Sequence, residues 1–265
     1  MDLQLNGKRA IVTGGSRGIG RAIARTLAAE GASVVIASRG REALDAAATE
    51  LTEQTGGRVI GITVDTGGQE SVDRLVERTV AELGGVDILV NSAATPWSSG
   101  KPTDFDSITD DVVREEVEIK VLGYLRTARA VSPHLIEQGW GRIINISGLG
   151  ARQANSIAQT IRNVSVSALT KNLADELGPH GVNVTVVHPG LTRTERLEAR
   201  LAERSEREGV PLADLEAELA TNSIRRVVDA SEVADVVAFL ASPRSIAITG
   251  DAIAAGGGVP GPVYY

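Results

Sequence analysis

Hydrophobic residues fall into short runs rich in β-branched side chains, each bounded by glycine or another turn residue. Most of these runs are continuously apolar rather than alternating, which is typical of strands buried on both faces of a parallel sheet. We therefore predict seven strands within these segments: RAIVTGG (9–15), ASVVIASR (32–39), GRVIGITVD (57–65), VDILVNSAA (86–94), GRIINISG (141–148), VNVTVVHPG (182–190) and DAIAAGGG (251–258).

Amphipathic segments of helical period separate the strands. One ends at Gly31, and two others open at Ser71 and Ser231, where the serines are candidate N-caps. Alternation of strands and helices, with right-handed crossovers, predicts an α/β fold: a doubly wound parallel sheet with helices on both faces. A chain of 265 residues suits one such domain.

One charge-rich helical segment, 195–226, interrupts this alternation near the end of the chain. Leu197 and Leu201 are four residues apart, as are Leu215 and Leu219, so each pair can share a helix face. Two interpretations remain open. The segment is either a solvated insertion packed on the domain or a mobile lid over a site.

Composition narrows the possible partners. A net charge of −7 and no run of Lys and Arg argue against nucleic acid. The absence of cysteine excludes disulfides and thiolate metal sites, and we predict no metal. No signal pattern and no apolar run of membrane-spanning length occur, so we expect a cytoplasmic protein that does not enter a membrane.

The segment TGGSRGIG (13–20) follows the first strand and opens the first helix. Gly14 suits a tight turn, Gly18 a close approach of the backbone to a pyrophosphate, and Gly20 close packing of helix on strand. The N-terminus of the helix faces the bound anion. This placement predicts a dinucleotide-binding loop.

The spacing Gly-x-x-x-Gly-x-Gly resembles the short-chain dehydrogenase/reductase family, and the resemblance covers the whole chain. NSAA (91–94) is similar to the family's Asn-Asn-Ala-Gly turn, HPGLTRT (188–194) to its Pro-Gly-x-x-x-Thr loop, and 239–258 to its last strand, although Gly256 replaces the usual Asp. The cofactor contacts implied by the resemblance and the loop are Gly14, Ser16, Arg17, Gly18, Ile19, Gly20, Ser38, Arg39, Asp65, Thr66, Asn91, Ala93, Lys120, Pro189, Gly190, Thr192 and Thr194.

The end of the second strand indicates which dinucleotide is bound. An acidic residue there would bind a ribose 2′-hydroxyl and repel a 2′-phosphate, but this strand ends in Ser38 and Arg39, with Arg17 in the glycine-rich loop. Guanidinium groups match phosphate geometry. We therefore predict NADP(H) in preference to NAD(H), the alternative being that Arg39 and Arg41 only open a solvated helix.

The resemblance implies a Tyr-x-x-x-Lys pair that carries out acid–base catalysis, and the register set from Leu169 places it at Gln159 and Asn163. A neutral amide does not titrate near neutral pH and cannot relay a proton as a phenol does. Ser147 lies one position before the usual catalytic serine. Lys120 occupies the position of the family's helical Asn, so Lys and Asn look exchanged.

We hypothesise that Lys120 supplies the positive charge near the nicotinamide ribose that the family's Lys normally supplies. Tyr124, on the same helix face, is a weak candidate for a substitute acid. Arg162 could bind an anionic substrate or form a contact between subunits. Among the histidines, His188 lies nearest to the expected cofactor.

The preferred interpretation is an NADP(H)-dependent oxidoreductase that acts on a carbonyl or alcohol through a non-standard site. Its candidate catalytic residues are Ser147, Lys120, Gln159 and Asn163. The alternative is a catalytically inactive NADP(H)-binding sensor or structural protein. Conversion to other chemistry, as in halohydrin dehalogenases, is less favoured because the nucleotide loop is kept. The resemblance also implies a homo-oligomer, a tetramer or dimer, and the tail VPGPVYY (259–265) could cover a neighbouring subunit.

Overall fold

The computed structural model describes residues 1–94, 104–154 and 156–261. Its helices and strands follow one another in the order β1 (Arg9–Thr13), α1 (Gly18–Ala29), β2 (Ser33–Ser38), α2 (Arg41–Thr55), β3 (Val59–Thr63), α3 (Gln69–Leu83), β4 (Ile88–Asn91), α4 (Asp110–Glu116), a π-helical turn (Val117–Leu122), α5 (Gly123–Glu137), β5 (Gly141–Ile146), α6 (Ile157–Leu177), β6 (Val182–Pro189), β7 (Thr192–Arg193), α7 (Glu195–Glu208), α8 (Leu212–Leu219), β8 (Val228–Asp229), α9 (Ala230–Ala241) and β9 (Ala252–Ala255).

Seven strands form one parallel sheet in the order β3-β2-β1-β4-β5-β6-β9. Each of the seven predicted segments contributes one strand, which confirms the doubly wound α/β fold. The order reverses between β1 and β4, so the loops that follow these two strands diverge and leave a crevice at the carboxyl edge of the sheet.

Apolar side chains fill both faces of the sheet. On one face α1, α2 and α9 cover a cluster that includes Ile36, Val90 and Val187, and on the other α3, α5 and α6 cover a cluster that includes Val35, Leu89 and Val184. Neighbouring strand residues such as Val35 and Ile36 point to opposite faces, and both are fully buried. Two-sided burial explains why these strands read as continuous apolar runs.

The expected serine caps are wrong. Helix α3 begins two residues before Ser71, after Gly68. Helix α9 begins at Ala230. The Asp229 side chain accepts a hydrogen bond from the backbone amide of Glu232, and the Glu232 carboxylate accepts one from the backbone amide of Asp229. This reciprocal capping box satisfies two N-terminal amides, whereas a serine cap satisfies one, and it therefore sets the start of the helix.

The segment 195–226 folds as two helices with an apolar cluster of their own. Leu197, Leu201 and Leu215 are buried with Val227, and Leu219 packs against them. The short strands β7 and β8 pair at the base of the segment, where Arg193 forms ion pairs with Glu216 and, at 2.8 Å, with Asp229. The predicted leucine pairs therefore do share one buried face.

Candidate functional site

A cavity of about 1010 Å³ opens at the carboxyl edge of the sheet, in the crevice between the loops after β1 and β4. All four candidate catalytic residues line it, and so do most of the predicted cofactor contacts. Those contacts are Gly14, Ser16, Arg17, Ile19, Gly20, Ser38, Arg39, Asp65, Thr66, Ala93, Lys120, Pro189, Gly190, Thr192 and Thr194.

Two predicted cofactor residues lie elsewhere. Gly18 borders a neighbouring, smaller cavity on the outer side of α1. Asn91 is fully buried, where its Nδ2 donates to Asn145 Oδ1 at 3.0 Å and its Oδ1 accepts from Thr127 Oγ1 at 2.7 Å. In this structure Asn91 therefore fastens β4 to β5 and α5 rather than facing the cavity.

The glycine-rich loop packs so tightly that side chains at two of its glycines would collide with backbone. Gly14 has φ +69°, and a Cβ on it would come within 2.8 Å of the Ser92 carbonyl oxygen. A Cβ on Gly20 would come within 2.3 Å of the Gly14 carbonyl oxygen. The glycines therefore allow α1 to start close against the loops that follow β1 and β4.

One of those first amides already has an anionic partner. The Gly18 amide donates to Oε2 of Glu195, the first residue of α7, at 3.1 Å. Arg21 of α1 approaches the same carboxylate at 3.5 Å. The helix segment 195–226 is therefore held to the glycine-rich loop by a carboxylate at a helix N-terminus, an attractive arrangement. The sequence gives no local signal for this contact.

Lys120 lies on the π-helical turn and lines the cavity, with only 4% of its surface exposed. Its Nζ donates to the Ser147 carbonyl oxygen at 2.8 Å and to Asn163 Oδ1 at 3.1 Å. Burial lowers the pKa of Lys120 well below its usual value; the charge of Arg162 lowers it further, and the Glu116 carboxylate opposes both. π-turns of this kind are frequent at functional sites.

The structure thus brings Lys120 and Asn163 into contact. Asn163 comes from α6, and Ser147, which follows β5, donates from Oγ to the Asn163 carbonyl oxygen at 3.1 Å and approaches its Oδ1 at 3.3 Å. Gln159 lies one turn earlier on α6 and borders the same cavity. Ser147, Lys120 and Asn163 form one hydrogen-bonded cluster.

Arg162 lines the cavity but also forms a buried ion pair with Glu116 of α4. Of the two side chains, Arg162 is 9% exposed and Glu116 only 1%. Arg162 is therefore bound within its own subunit, and this geometry disfavours the expected contact of Arg162 with a neighbouring subunit. Glu116 lies one helical turn before Lys120, so a carboxylate adjoins both cations.

Tyr124 does not reach the cavity. Its Oη donates to the Ile146 carbonyl oxygen at 3.0 Å in a buried cluster with Val166, and burial raises its pKa above the usual value. A phenol of raised pKa that is already bonded to a backbone carbonyl is a poor proton donor to a ligand. Tyr264 and Tyr265 lie outside the described residues.

His188, at the end of β6, is buried beside the Lys120 cluster. Its Nε2 lies 3.4 Å from Ser167 Oγ. Burial lowers the pKa of His188 to about 4, with further lowering by the charges of Arg152 and Lys120. The imidazole is therefore neutral near pH 7 and adds no charge to the cluster.

The helical segment 195–226 supplies part of the cavity wall. Sequence patterns did not predict which of its residues would line the cavity. Its contributions are Leu219, Thr221, Asn222 and Arg226. Of these, Arg226 is bound to Glu232 in an exposed ion pair. The remaining side chains give this end of the cavity a mixed apolar and amide character.

These features define a class: a dinucleotide-binding α/β domain with its ligand crevice at the switch point of the sheet. The family model described as enoyl-(acyl carrier protein) reductase matches residues 14–260. The short-chain reductase protein NovJ of Streptomyces niveus is 36% identical over 254 residues, which cover 95% of this chain and 93% of NovJ. The chain belongs to the short-chain dehydrogenase/reductase family of oxidoreductases.

Further relatives agree with this assignment. Dehydrogenase/reductase SDR family member 4 of Homo sapiens is 34% identical over 97% of this chain and 88% of its own length. Among solved structures, L-sorbose reductase from Gluconobacter frateurii, in complex with NADPH and L-sorbose, superposes with a TM-score of 0.90 at 30% identity, covering 97% of this chain and 98% of that one.

Two further findings concern the described ranges. None of the helices there has the length and apolar character needed to cross a bilayer. Within the same ranges, His, Asp and Glu side chains do not gather in groups of three or more that could hold a metal ion.

Proposed function

We propose that the protein is an NADP(H)-dependent oxidoreductase that reduces a carbonyl or oxidises an alcohol in the 1010 Å³ cavity. The carrying observation is the end of β2, where Ser38 and Arg39 line the cavity in place of an acidic residue. A guanidinium there can pair with a 2′-phosphate, whereas a carboxylate would repel it. Solved relatives that bind NADPH support the same choice.

The residues present fit a dinucleotide. Gly14 and Gly20 let the loop pack closely against backbone, and Ser16, Arg17 and Ile19 line the cavity beside the N-terminus of α1, a position that suits a pyrophosphate. Asp65 borders the same cavity and accepts from the Gly67 amide at 3.0 Å, which fixes its carboxylate beside the space for the adenine. When bound, the nicotinamide supplies or accepts a hydride.

The site that would act on the substrate is non-standard. Gln159 and Asn163 stand where the family's Tyr and Lys are expected, and Lys120 stands where its Asn is expected. In this proposal Lys120 and Ser147 face the nicotinamide end of the cavity, while Gln159 and Asn163 donate or accept hydrogen bonds there without titrating. The protein acts on small molecules as a homo-oligomer in the cytoplasm.

The alternative is an NADP(H)-binding protein without turnover, and the amides at 159 and 163 favour it. Calorimetry with NADPH and with NADH comes first, followed by NADPH oxidation in the presence of a panel of ketones, aldehydes and quinones. We expect tighter binding of NADPH and oxidation with at least one carbonyl compound. Tight binding with no oxidation across the panel would support the alternative, and no binding of either dinucleotide would refute both.

A further inference from the structure

The amine of Lys120 is held by two fixed bonds. A lysine Nζ has three positions besides its bond to Cε, and here two of them donate, to the Ser147 carbonyl oxygen at 2.8 Å and to Asn163 Oδ1 at 3.1 Å. Both partners are oxygen acceptors, and an ammonium and a neutral amine each have the two N–H groups needed. The same geometry therefore serves both protonation states.

The third position is where the two states differ. In the ammonium it carries a proton, and in the neutral amine it carries the lone pair. Among the described residues, Nζ donates to the two oxygens and to no third acceptor, while the side chain borders the cavity that Gln159 also lines. A ligand oxygen in the cavity is thus the natural partner for this position.

Burial and the charges packed around Lys120 lower its pKa, which makes the ammonium a stronger acid than that of an ordinary lysine. Glu116 faces it from α4, Arg162 from α6 and His188 from β6. Burial and Arg162 lower the pKa of Lys120 well below the ordinary value, and Glu116 limits the effect. An ordinary lysine is too weak an acid for rapid proton transfer, and an acid is most effective when its pKa lies near the working pH.

We propose that Lys120 is the catalytic acid and base that exchanges a proton with the substrate oxygen, and that Asn163 is the positioning residue that fixes its Nζ. The inference rests on the proposed function. In reduction, as the carbonyl carbon receives a hydride from bound NADPH, the C=O π pair moves onto oxygen. The Nζ–H bond then breaks, an O–H bond forms, and the neutral amine regains a proton from water.

The first test needs neither cofactor nor substrate. The chain has four lysines, Lys8, Lys101, Lys120 and Lys171, so selective ¹³Cε labelling gives few signals. We expect the signal that disappears in Lys120→Met to titrate well below the ordinary lysine pKa. Asn163→Asp places a carboxylate beside Nζ and should raise that midpoint. If the side chain at position 163 had only a structural role away from Nζ, this substitution would leave the midpoint unchanged. An ordinary midpoint for Lys120 in the folded wild type overturns the proposal.

The second test separates proton exchange from charge. The probe is 9,10-phenanthrenequinone, an ortho-diketone, with NADPH oxidation followed by absorbance. Lys120→Met removes the amine, and Lys120→Arg keeps a positive charge that does not titrate. Both should lower kcat about 100- to 10,000-fold, whereas the exposed Lys171→Met, whose ion pair with Asp175 lies on the outer face of α6, should not. Ethylamine should restore part of the activity of Lys120→Ala.

The outcomes distinguish this inference from the proposed function. Full activity in Lys120→Arg would mean that charge alone is required, and full activity in Lys120→Met would remove Lys120 from the reaction; each overturns the inference and leaves the oxidoreductase intact. A wild-type protein that binds NADPH but never oxidises it overturns both. Loss of activity in both Lys120→Met and Lys120→Arg, together with rescue of Lys120→Ala by ethylamine, supports the inference.

Discussion

Removal of the Glu116 carboxylate should destabilise the protein strongly, because it breaks a buried ion pair with Arg162. Glu116 is 1% and Arg162 9% exposed at the side chain, so the ion pair is largely desolvated. Breaking a buried ion pair by removing one member costs about 3–5 kcal/mol, against at most about 1 kcal/mol for an exposed pair. We therefore expect Glu116→Gln to lower the free energy of unfolding by about 4 kcal/mol.

This free energy converts into a measurable shift in Tm. The entropy of unfolding is about 2.1 cal/mol/K per residue, or about 0.56 kcal/mol/K for 265 residues. A loss of about 4 kcal/mol then lowers Tm by about 7 °C in differential scanning calorimetry. The matched control is Asp110→Asn, which breaks the exposed Arg114–Asp110 pair and should shift Tm by less than about 2 °C.

A double variant tests the reasoning behind the magnitude. Glu116→Leu with Arg162→Met replaces the whole pair by apolar side chains, which is often neutral or stabilising. We expect it to regain most of the Tm lost in Glu116→Gln. If Glu116→Gln shifts Tm no more than Asp110→Asn does, the pair is not a desolvated one and the argument is refuted. The single variant Glu116→Gln should also lower the pKa of Lys120 further, because the Glu116 carboxylate raises that pKa.

Three further predictions address stability, cofactor choice and assembly. In the folded protein the pKa of His188 is lowered to about 4, from an unfolded value near 6.5, so the unfolded state binds more protons between these pH values. Stability should therefore fall by about 3 kcal/mol as pH falls from 6.5 to 4. In His188→Asn, this part of the pH dependence of the urea unfolding midpoint should disappear. Arg39→Asp should weaken NADPH relative to NADH by at least about 10-fold in calorimetry, and an unchanged ratio would contradict the 2′-phosphate contact. Ile161 lies on an exposed stripe of α6 with Ile157 and Val164, so Ile161→Glu should reduce the mass seen in sedimentation if this face joins subunits.

The strands could be predicted because burial on both faces of the sheet makes neighbouring residues along a strand apolar. Most of the runs are nearly continuous in apolar residues, and two-sided burial can be recognised from such a run without knowledge of the rest of the chain. Helix ends were harder, because the start of α9 depends on a reciprocal bond between Asp229 and Glu232 rather than on the nearest serine. Composition alone does not tell which of several polar side chains will cap.

The contacts around the site show the same limit. Family register placed Lys120 and Asn163 in one pocket, and the structure finds them 3.1 Å apart at Nζ and Oδ1. The Glu116–Arg162 pair was missed, although Arg162 had been singled out, because its partner is 46 residues away with no local pattern to mark it. Glu195 at the Gly18 amide was missed for the same reason: it depends on where the segment 195–226 docks.

Lys120 on the π-helical turn and Asn163 on α6 suit each other as a pair. Two lysines at these positions would bring two ammonium groups into one buried site, where like charges repel strongly. Two asparagines would leave the Ser147 carbonyl oxygen without the cation that now donates to it. With one amine and one amide, the Nζ of Lys120 donates to the Ser147 carbonyl oxygen and to the Asn163 amide oxygen. The arrangement found here, however, attaches the amine to the turn after Glu116, so its proton affinity is set by that carboxylate and by Arg162.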